Sequence, residues 1–340
     1  MNADLELSFG VIGAGRIGRL HARNLAGAID GARLVTVMDA SLAAAQSAAY
    51  GGARATTDID DIIGNDEINA VLIASPTSLH AGQIELAAQA GKAIFCEKPV
   101  ALDLGETIRA MRTVEERGVP FQIGFNRRFD PGYAALAREV RLGTIGNVEL
   151  FRSQSSDPEP PSLEYALTSG GIYLDSVIHD IDTARFVVGE IDRVTALGRV
   201  FANPELLEMN DVDTSVLTLE FTTGALGVIM NSRRTVHGYD LRVEVHGENG
   251  KLVSEDERAT KLWRYGRDGM NADYFNYFLD RFVDAYRLEL QAFVTDVRSG
   301  TTPGPGPRDA VESLRVAVAA TKSLHEKRTV SLDEIPGLAS

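Results

Sequence analysis

The chain of 340 residues contains a single cysteine, Cys96. One thiol allows neither an internal disulfide nor a cysteine-based metal cluster, so no metal site is expected, and it agrees with a reducing compartment. Nothing approaches about 18 uninterrupted apolar residues, which removes a membrane-spanning helix from consideration. The opening MNADLELSFG lacks a basic region ahead of an apolar stretch and reads neither as a secretory signal nor as a transit peptide; the expected setting is the cytoplasm. Positive charge is in deficit, with 34 Lys plus Arg against 48 Asp plus Glu, a net of −14. Such a field repels phosphate backbones and anionic headgroups, so neither nucleic acid nor membrane is expected as a partner. What is present is an ordinary globular composition, 44% hydrophobic and 24% charged, which excludes collagen-like, coiled-coil and wholly disordered chains. At this length two domains are expected.

Residues 7–12, LSFGVI, form the short apolar run of a strand buried on both faces. Glycine breaks it at once: Gly13-Ala14-Gly15-Arg16-Ile17-Gly18 is G-x-G-x-x-G directly after a strand, and residues 16–25 then have helix-forming composition with Ile17, Leu20 and Leu25 apolar. Each glycine has its own reason, one for the tight turn, one for close approach of the backbone to a pyrophosphate, one for packing of the helix on the strand. The helix N-terminus then faces the phosphates. A second apolar strand, 34–38, ends in Asp39, about twenty residues beyond Gly18, where a carboxylate binds ribose hydroxyls. Ala40 and Ser41 follow, with no arginine for a 2′-phosphate, so NAD is expected over NADP.

Strand and helix continue to alternate through 70–74, a helix over about 79–90, and 93–96, which predicts a parallel Rossmann sheet. Ligands in such sheets bind beyond the carboxyl ends of the strands, here Ser75-Pro76-Thr77-Ser78 and Glu97-Lys98-Pro99. The expected cofactor contacts are therefore Gly13, Gly15, Arg16, Ile17, Gly18, Asp39, Ser75, His80, Glu97 and Lys98, with His80 read equally well as an ordinary residue opening a helix. Cys96 reads as a small hydrophobe at a strand end.

These residues resemble the glucose-fructose oxidoreductase, inositol dehydrogenase and rhizopine-catabolism (Gfo/Idh/MocA) family of NAD(P)-dependent oxidoreductases. The matching pieces are Gly13 to Gly18, Ala74-Ser-Pro-Thr-Ser-Leu-His80 and Glu97-Lys98-Pro99. Gly124-Phe-Asn-Arg127-Arg128-Phe-Asp-Pro131, Gly170 to Arg185, Asn210-Asp-Val-Asp-Thr214 and Gly238 to Gly247 extend the match and bring it nearest to inositol 2-dehydrogenases. The resemblance implies that Lys98 faces the substrate beside the nicotinamide, that the Lys98–Pro99 bond is cis, and that the protein is a homotetramer. One departure stands out: Ser155-Ser156-Asp157-Pro158 lies where relatives often carry an arginine ahead of Asn or Asp and proline, so Ser156 lacks that guanidinium.

The domain boundary is expected at Asn126, giving 1–126 as the NAD-binding domain and 127–340 as an α+β domain with a large, mostly antiparallel open sheet for substrate and oligomerisation. Residues 147–152 alternate as a half-buried strand, 215–221 and 225–230 read as a hairpin about Thr223-Gly224, and 241–246 begins another. A sheet with Val, Ile and Leu on both faces needs a partner, hence the expected self-association. Residues 274–297 carry aromatics at helical spacing, read as core.

Asp175 and His179 are four apart on an expected helix and share a face about 5–6 Å apart at Cβ. Imidazole suits a general base for alcohol oxidation. The resemblance makes His179 the base, Asp175 its partner or a holder of substrate hydroxyl, and Lys98 the cation that stabilises the developing alkoxide. Asp182, two turns beyond Asp175, is a further hydroxyl contact, or else a capping residue or a salt-bridge partner of Arg185; Arg127, Asp157 and Tyr239 complete the expected substrate contacts. The reading is an NAD-dependent oxidation of a secondary hydroxyl of myo- or scyllo-inositol. Aldose dehydrogenation, an NAD-dependent glycosidase and a silent NAD-binding regulator are the alternatives, the last opposed by the presence of Lys98, Asp175 and His179 together.

Overall fold

The computed structural model describes residues 6–255, 258–267 and 269–338. They form two compact units. The first unit holds the residues up to Asn126 together with Asp284–Glu312 and the last described residues; the second holds Arg127–Val283 and Ser313–Pro336.

In the first unit, strands β1 (Leu7–Ile12), β2 (Ala32–Met38), β3 (Arg54–Thr56), β4 (Ala70–Ile73), β5 (Ala93–Glu97) and β6 (Phe121–Gly124) form one sheet in the order β3-β2-β1-β4-β5-β6. Every neighbouring pair is parallel. β1 and β4 are buried along their whole length, as strands covered by helices on both faces must be. The strand order reverses between β1 and β4, which opens the crevice at their carboxyl ends where doubly wound sheets take ligands.

The expected second domain ran unbroken from 127 to 340; instead Asp284–Glu312 belongs with the first unit. The reason is apolar packing: Leu290, Phe293, Val294 and Val297 of the helix Val283–Ser299 lie in one cluster with Phe9, Val11, Leu72 and Phe95 of the parallel sheet. The expected helical run from Tyr274 is also shortened. Tyr274 closes a strand, and helix begins only at Phe278.

The second unit is built on a sheet of seven strands, β7 (Val148–Ser156), β8 (Ile191–Arg199), β9 (Thr214–Phe221), β10 (Leu226–Ser232), β11 (Asp240–Gly247), β12 (Gly250–Ser254) and, far along the chain, Val330–Ser331. Only the β7–β10 pair is parallel. The hairpin expected about Thr223-Gly224 is β9 and β10, paired antiparallel. β9 alternates strictly, with Ser215, Leu217, Leu219 and Phe221 buried and Val216, Thr218 and Glu220 exposed, so one face packs and the other is open. The helix Ile178–Val187 packs over β7 and β10 on the covered side. A separate two-stranded ribbon, 258–266 with 269–274, is exposed on nearly every side chain.

Candidate active site

In the first unit the glycine loop follows β1 and leads into the helix Arg16–Leu25. Gly13 has φ +100, and a Cβ there would lie 2.5 Å from the Ala74 carbonyl oxygen and the Ser75 nitrogen. A Cβ on Gly18 would meet the Gly13 carbonyl oxygen. Gly15 differs: among the described residues nothing lies within 4 Å of its would-be Cβ, and as the helix N-cap it offers no side-chain acceptor to the first amides. Open space in front of uncapped helix amides, with no acidic residue in the first turn, fits a pyrophosphate. Asp39 directly follows β2, with one carboxylate oxygen accepting from the Ala14 amide at 2.8 Å and the other from the Ser41 amide at 2.9 Å, so the glycine loop and this carboxylate are held together. Arg16 and Ile17 form the first turn of the helix.

Ser75 lies just beyond β4, where its hydroxyl donates to Gln83 at 2.6 Å. His80, in the first turn of the helix Thr77–Gln89, has both ring nitrogens bonded within the protein. It is buried, with Nδ1 2.9 Å from the Pro99 carbonyl and Nε2 2.7 Å from the Ser75 carbonyl. Burial lowers its pKa below the usual imidazole value against the pull of both carbonyls, so the neutral ring serves as a strut between two strand ends. Glu97, half-buried at the end of β5, accepts a hydrogen bond on its carboxylate from His21 Nε2 at 2.7 Å. Lys98, partly buried, comes next and is joined to Pro99 by a cis peptide bond. Cys96 is fully buried, and burial pushes its thiol well above the usual range.

In the second unit Asp175 falls within a π-helical turn, Tyr173–Val177, immediately before the helix that carries His179. The expected α-helical spacing of the pair is thus replaced by a wider turn of the kind that marks functional sites. Tyr165 donates its phenol to Asp175 Oδ1 at 2.8 Å, and Arg233 lies 3.2 Å from Oδ2. Arg233 is fully buried at the end of β10 and also reaches Asp211 at 3.4 Å. Asp211 in turn accepts from the Ile172 amide at 3.0 Å, fixing the start of the π turn. Asp157 follows β7 within the field of the same groups: burial and the charge of Asp175 push its carboxyl up to about 6, against Arg233 and Arg127. Tyr239 is buried among Arg127, Asp157 and Tyr133, and burial raises its phenol far above the usual value.

Two of the expected substrate contacts are spent inside the protein. Asp182 is buried with its oxygens 2.7 and 2.8 Å from Arg128, and Arg185 pairs instead with Glu190. Arg127 donates to Asp180 at 2.9 Å and to Ser155 at 3.0 Å, a buried support under the site. Sequence reasoning missed Tyr165 and Arg233 altogether. The available signal for Arg233 was its position at the end of an apolar strand. The guanidinium absent from Ser156 is matched by two others buried among these carboxylates, Arg127 and Arg233.

Comparison with known proteins finds matches for both halves of the chain. Residues 7–125 match the oxidoreductase family with the NAD-binding Rossmann fold, and 133–253 match the GFO/IDH/MocA C-terminal domain. The myo-inositol 2-dehydrogenase of Thermotoga maritima is 40% identical over 335 residues, 97% of this chain and 100% of that protein. The scyllo-inositol 2-dehydrogenase (NAD(+)) of Bacillus subtilis is 39% identical over 95% of each chain. Among solved structures, the scyllo-inositol dehydrogenase of Lactobacillus casei with bound NAD(H) and scyllo-inositol superposes with a TM-score of 0.91 at 30% identity, covering 96% of this chain and 99% of that one. With both halves matched and near-complete coverage at this identity, the chain belongs to the GFO/IDH/MocA family of NAD-binding oxidoreductases.

Proposed function

We propose that the protein oxidises a secondary hydroxyl of a cyclitol, myo- or scyllo-inositol, to the corresponding ketone. The observation that carries the reading is the held carboxylate of Asp175 one turn before His179, in a family whose relatives named above are inositol dehydrogenases. NAD+ when bound supplies the acceptor for the carbinol hydride. His179 takes the hydroxyl proton as the carbon–oxygen double bond forms. Asp175 accepts a hydrogen bond from the imidazole or from a substrate hydroxyl, and Tyr165 and Arg233 keep it in one orientation. Lys98 supports the negative charge that develops on the reacting oxygen. Asp157 and Tyr239 hold further hydroxyls of the ring. On the cofactor side, Gly15 and the first helix turn take the pyrophosphate and Asp39 the ribose.

The enzyme is further proposed to act as a cytoplasmic homotetramer. The open face of the second unit's sheet carries Leu150, Leu197, Val216 and Leu226 exposed, with Leu197 beside Val216 in register, a patch suited to a second copy. The lone cysteine suits a reducing compartment. The test is NADH formation from NAD+ with separate inositol stereoisomers and aldoses. Turnover on a cyclitol supports the reading, and no absorbance change with any cyclitol sinks it. Light scattering of the parent and of Val216→Glu checks the assembly, a tetramer that falls to smaller species being expected.

A further inference from the structure

A second buried cluster, in the first unit, has no part in the chemistry above. His21 of the helix Arg16–Leu25, Glu97 at the end of β5 and Glu289 of the helix Val283–Ser299 place their ligating atoms within 4.8 Å of one another. His21 and Glu289 are 0% exposed. Neither oxygen of Glu289, nor Nδ1 of His21, has a hydrogen-bond partner among the described residues. His21 is gripped edge-on by the rings of Phe95 at 5.4 Å and Tyr286 at 5.7 Å.

Three such side chains invite a cation, but the spacing argues for a proton. Donor atoms sharing a tetrahedral ion with bonds near 2.0–2.1 Å stand about 3.3 Å apart. His21 Nε2 and Glu97 Oε1 are 2.7 Å apart, the length of a charge-assisted hydrogen bond. Glu289 then faces the Glu97 carboxylate in a place where a second bare charge would be desolvated and repelled. Burial first, and the Glu97 charge second, raise the Glu289 pKa well above the ordinary value, so Glu289 carries its proton and has an O–H to offer.

The sequence around the cluster accommodates this carboxylate. Glu97 pairs with Gly124 of β6, and a Cβ on Gly124 would sit 3.1 Å from Glu97 Oε2, so the glycine leaves the side chain room to lie across the strand. On the other side of Lys98, the Pro99 carbonyl is fixed by His80. Lys98 is therefore flanked by two residues with anchored polar groups.

We propose that Glu289 and His21 are positioning residues that clamp Glu97 and thereby set the backbone from which Lys98 works. The proposal rests on the role assigned to Lys98. His21 donates to one oxygen of Glu97, and the acid form of Glu289, with an oxygen within 4.8 Å of both, packs against the pair without setting a second charge beside it, so the strand end is held from two sides. The groups facing Glu289 are Glu97 from β5 and His21 from the N-terminal helix, with Tyr286 on its own helix.

The experiment uses the full chain with Glu289→Gln, Glu289→Ala and His21→Ala, measured for thermal unfolding against pH, NAD affinity and kcat on the cyclitol that the parent turns over. A folded-state acid with a raised pKa binds its proton where the unfolded chain has lost it, so stability falls as pH rises above about 4. Glu289→Gln, permanently neutral, is expected to unfold at a higher temperature than the parent near pH 8, with the advantage shrinking toward about pH 4. Misplacing Lys98 through Glu289→Ala or His21→Ala is expected to lower kcat about tenfold to a hundredfold with NAD affinity held within about threefold, and Glu289→Gln to recover most of the loss. Glu289→Gln destabilising the protein at every pH would overturn the neutral clamp, as would an unaltered kcat in both alanine variants. The unfolding arm does not depend on turnover, so a parent inert on every cyclitol would sink the function while leaving the neutral clamp open to judgement on its own result.

Discussion

The two units organise their polar groups in different ways. In the first, the polar groups about the carboxyl ends of the strands are held by main chain: Asp39 by the Ala14 and Ser41 amides, His80 by two carbonyls, the glycine loop by its own backbone. In the second, buried arginines hold aspartates across long stretches of chain. Arg127–Asp180 spans 53 positions, Arg128–Asp182 54, Arg233–Asp175 58 and Arg281–Asp130 151. The main-chain scaffold suits a cofactor shared by a whole family. The side-chain lattice can be rewritten by single substitutions, which suits the part of an enzyme that selects its substrate.

The largest effect expected on this contrast comes from His179→Ala. Loss of a general base should cost about 10²–10⁴ in kcat. NAD affinity, which belongs to the other unit's main chain, should stay near the parent's by calorimetry, and an unchanged kcat would remove His179 from the role. Next is Arg233→Met, which leaves Asp175 and Asp211 without their buried cation and should cost about 3–5 kcal/mol in chemical denaturation. Adding Asp175→Asn should recover part of that loss. If it recovers none, the pair is not coupled and the lattice picture fails.

Smaller effects test the first unit. Gly13→Ala forces a Cβ onto the Ala74 carbonyl at φ +100 and should cost about 1–3 kcal/mol of stability as well as cofactor binding. Gly15→Ala, with open space about it, should leave the melting temperature near the parent's while weakening NAD. Equal melting losses in the two variants would blur the distinction. The mildest effect concerns Asp157, whose carboxyl is pushed up to about 6 by burial and the Asp175 charge. As pH falls through that value it takes up a proton and loses its acceptor character, so KM for the polyol should rise a few fold below about pH 6. Asp157→Asn should flatten that rise. Because the folded protein holds this proton where the unfolded chain does not, Asp157 should also make the parent lose stability as pH climbs from about 4 to about 6.

The first unit was legible because its information is local. A strand, a glycine spacing and an acidic residue about twenty positions later specify a turn and a helix end. What was not legible there were the partners of side chains near the motifs, the Pro99 and Ser75 carbonyls for His80 and His21 for Glu97. The hairpin of β9 and β10 was legible for the same local reason, through alternation about Thr223-Gly224. Arg233, Tyr165 and the Arg128–Asp182 pair were not, because partners 58, 10 and 54 positions apart meet only once the sheet and the π turn exist. The return of Asp284–Glu312 to the first unit escaped notice because an amphipathic helix does not announce which sheet it will cover.

The glycine loop has a consequence for how such sequences drift. Gly13 and Gly18 are demanded by neighbouring protein atoms, whereas position 15 answers to no atom within 4 Å among the described residues. A descendant that stopped using NAD would still be obliged to retain the outer two glycines in order to fold, and only the middle one would be released. The familiar fingerprint is thus a record of folding at both ends and of ligand in the middle, and a side chain at position 15 would be the earliest visible sign that a lineage had given up its cofactor.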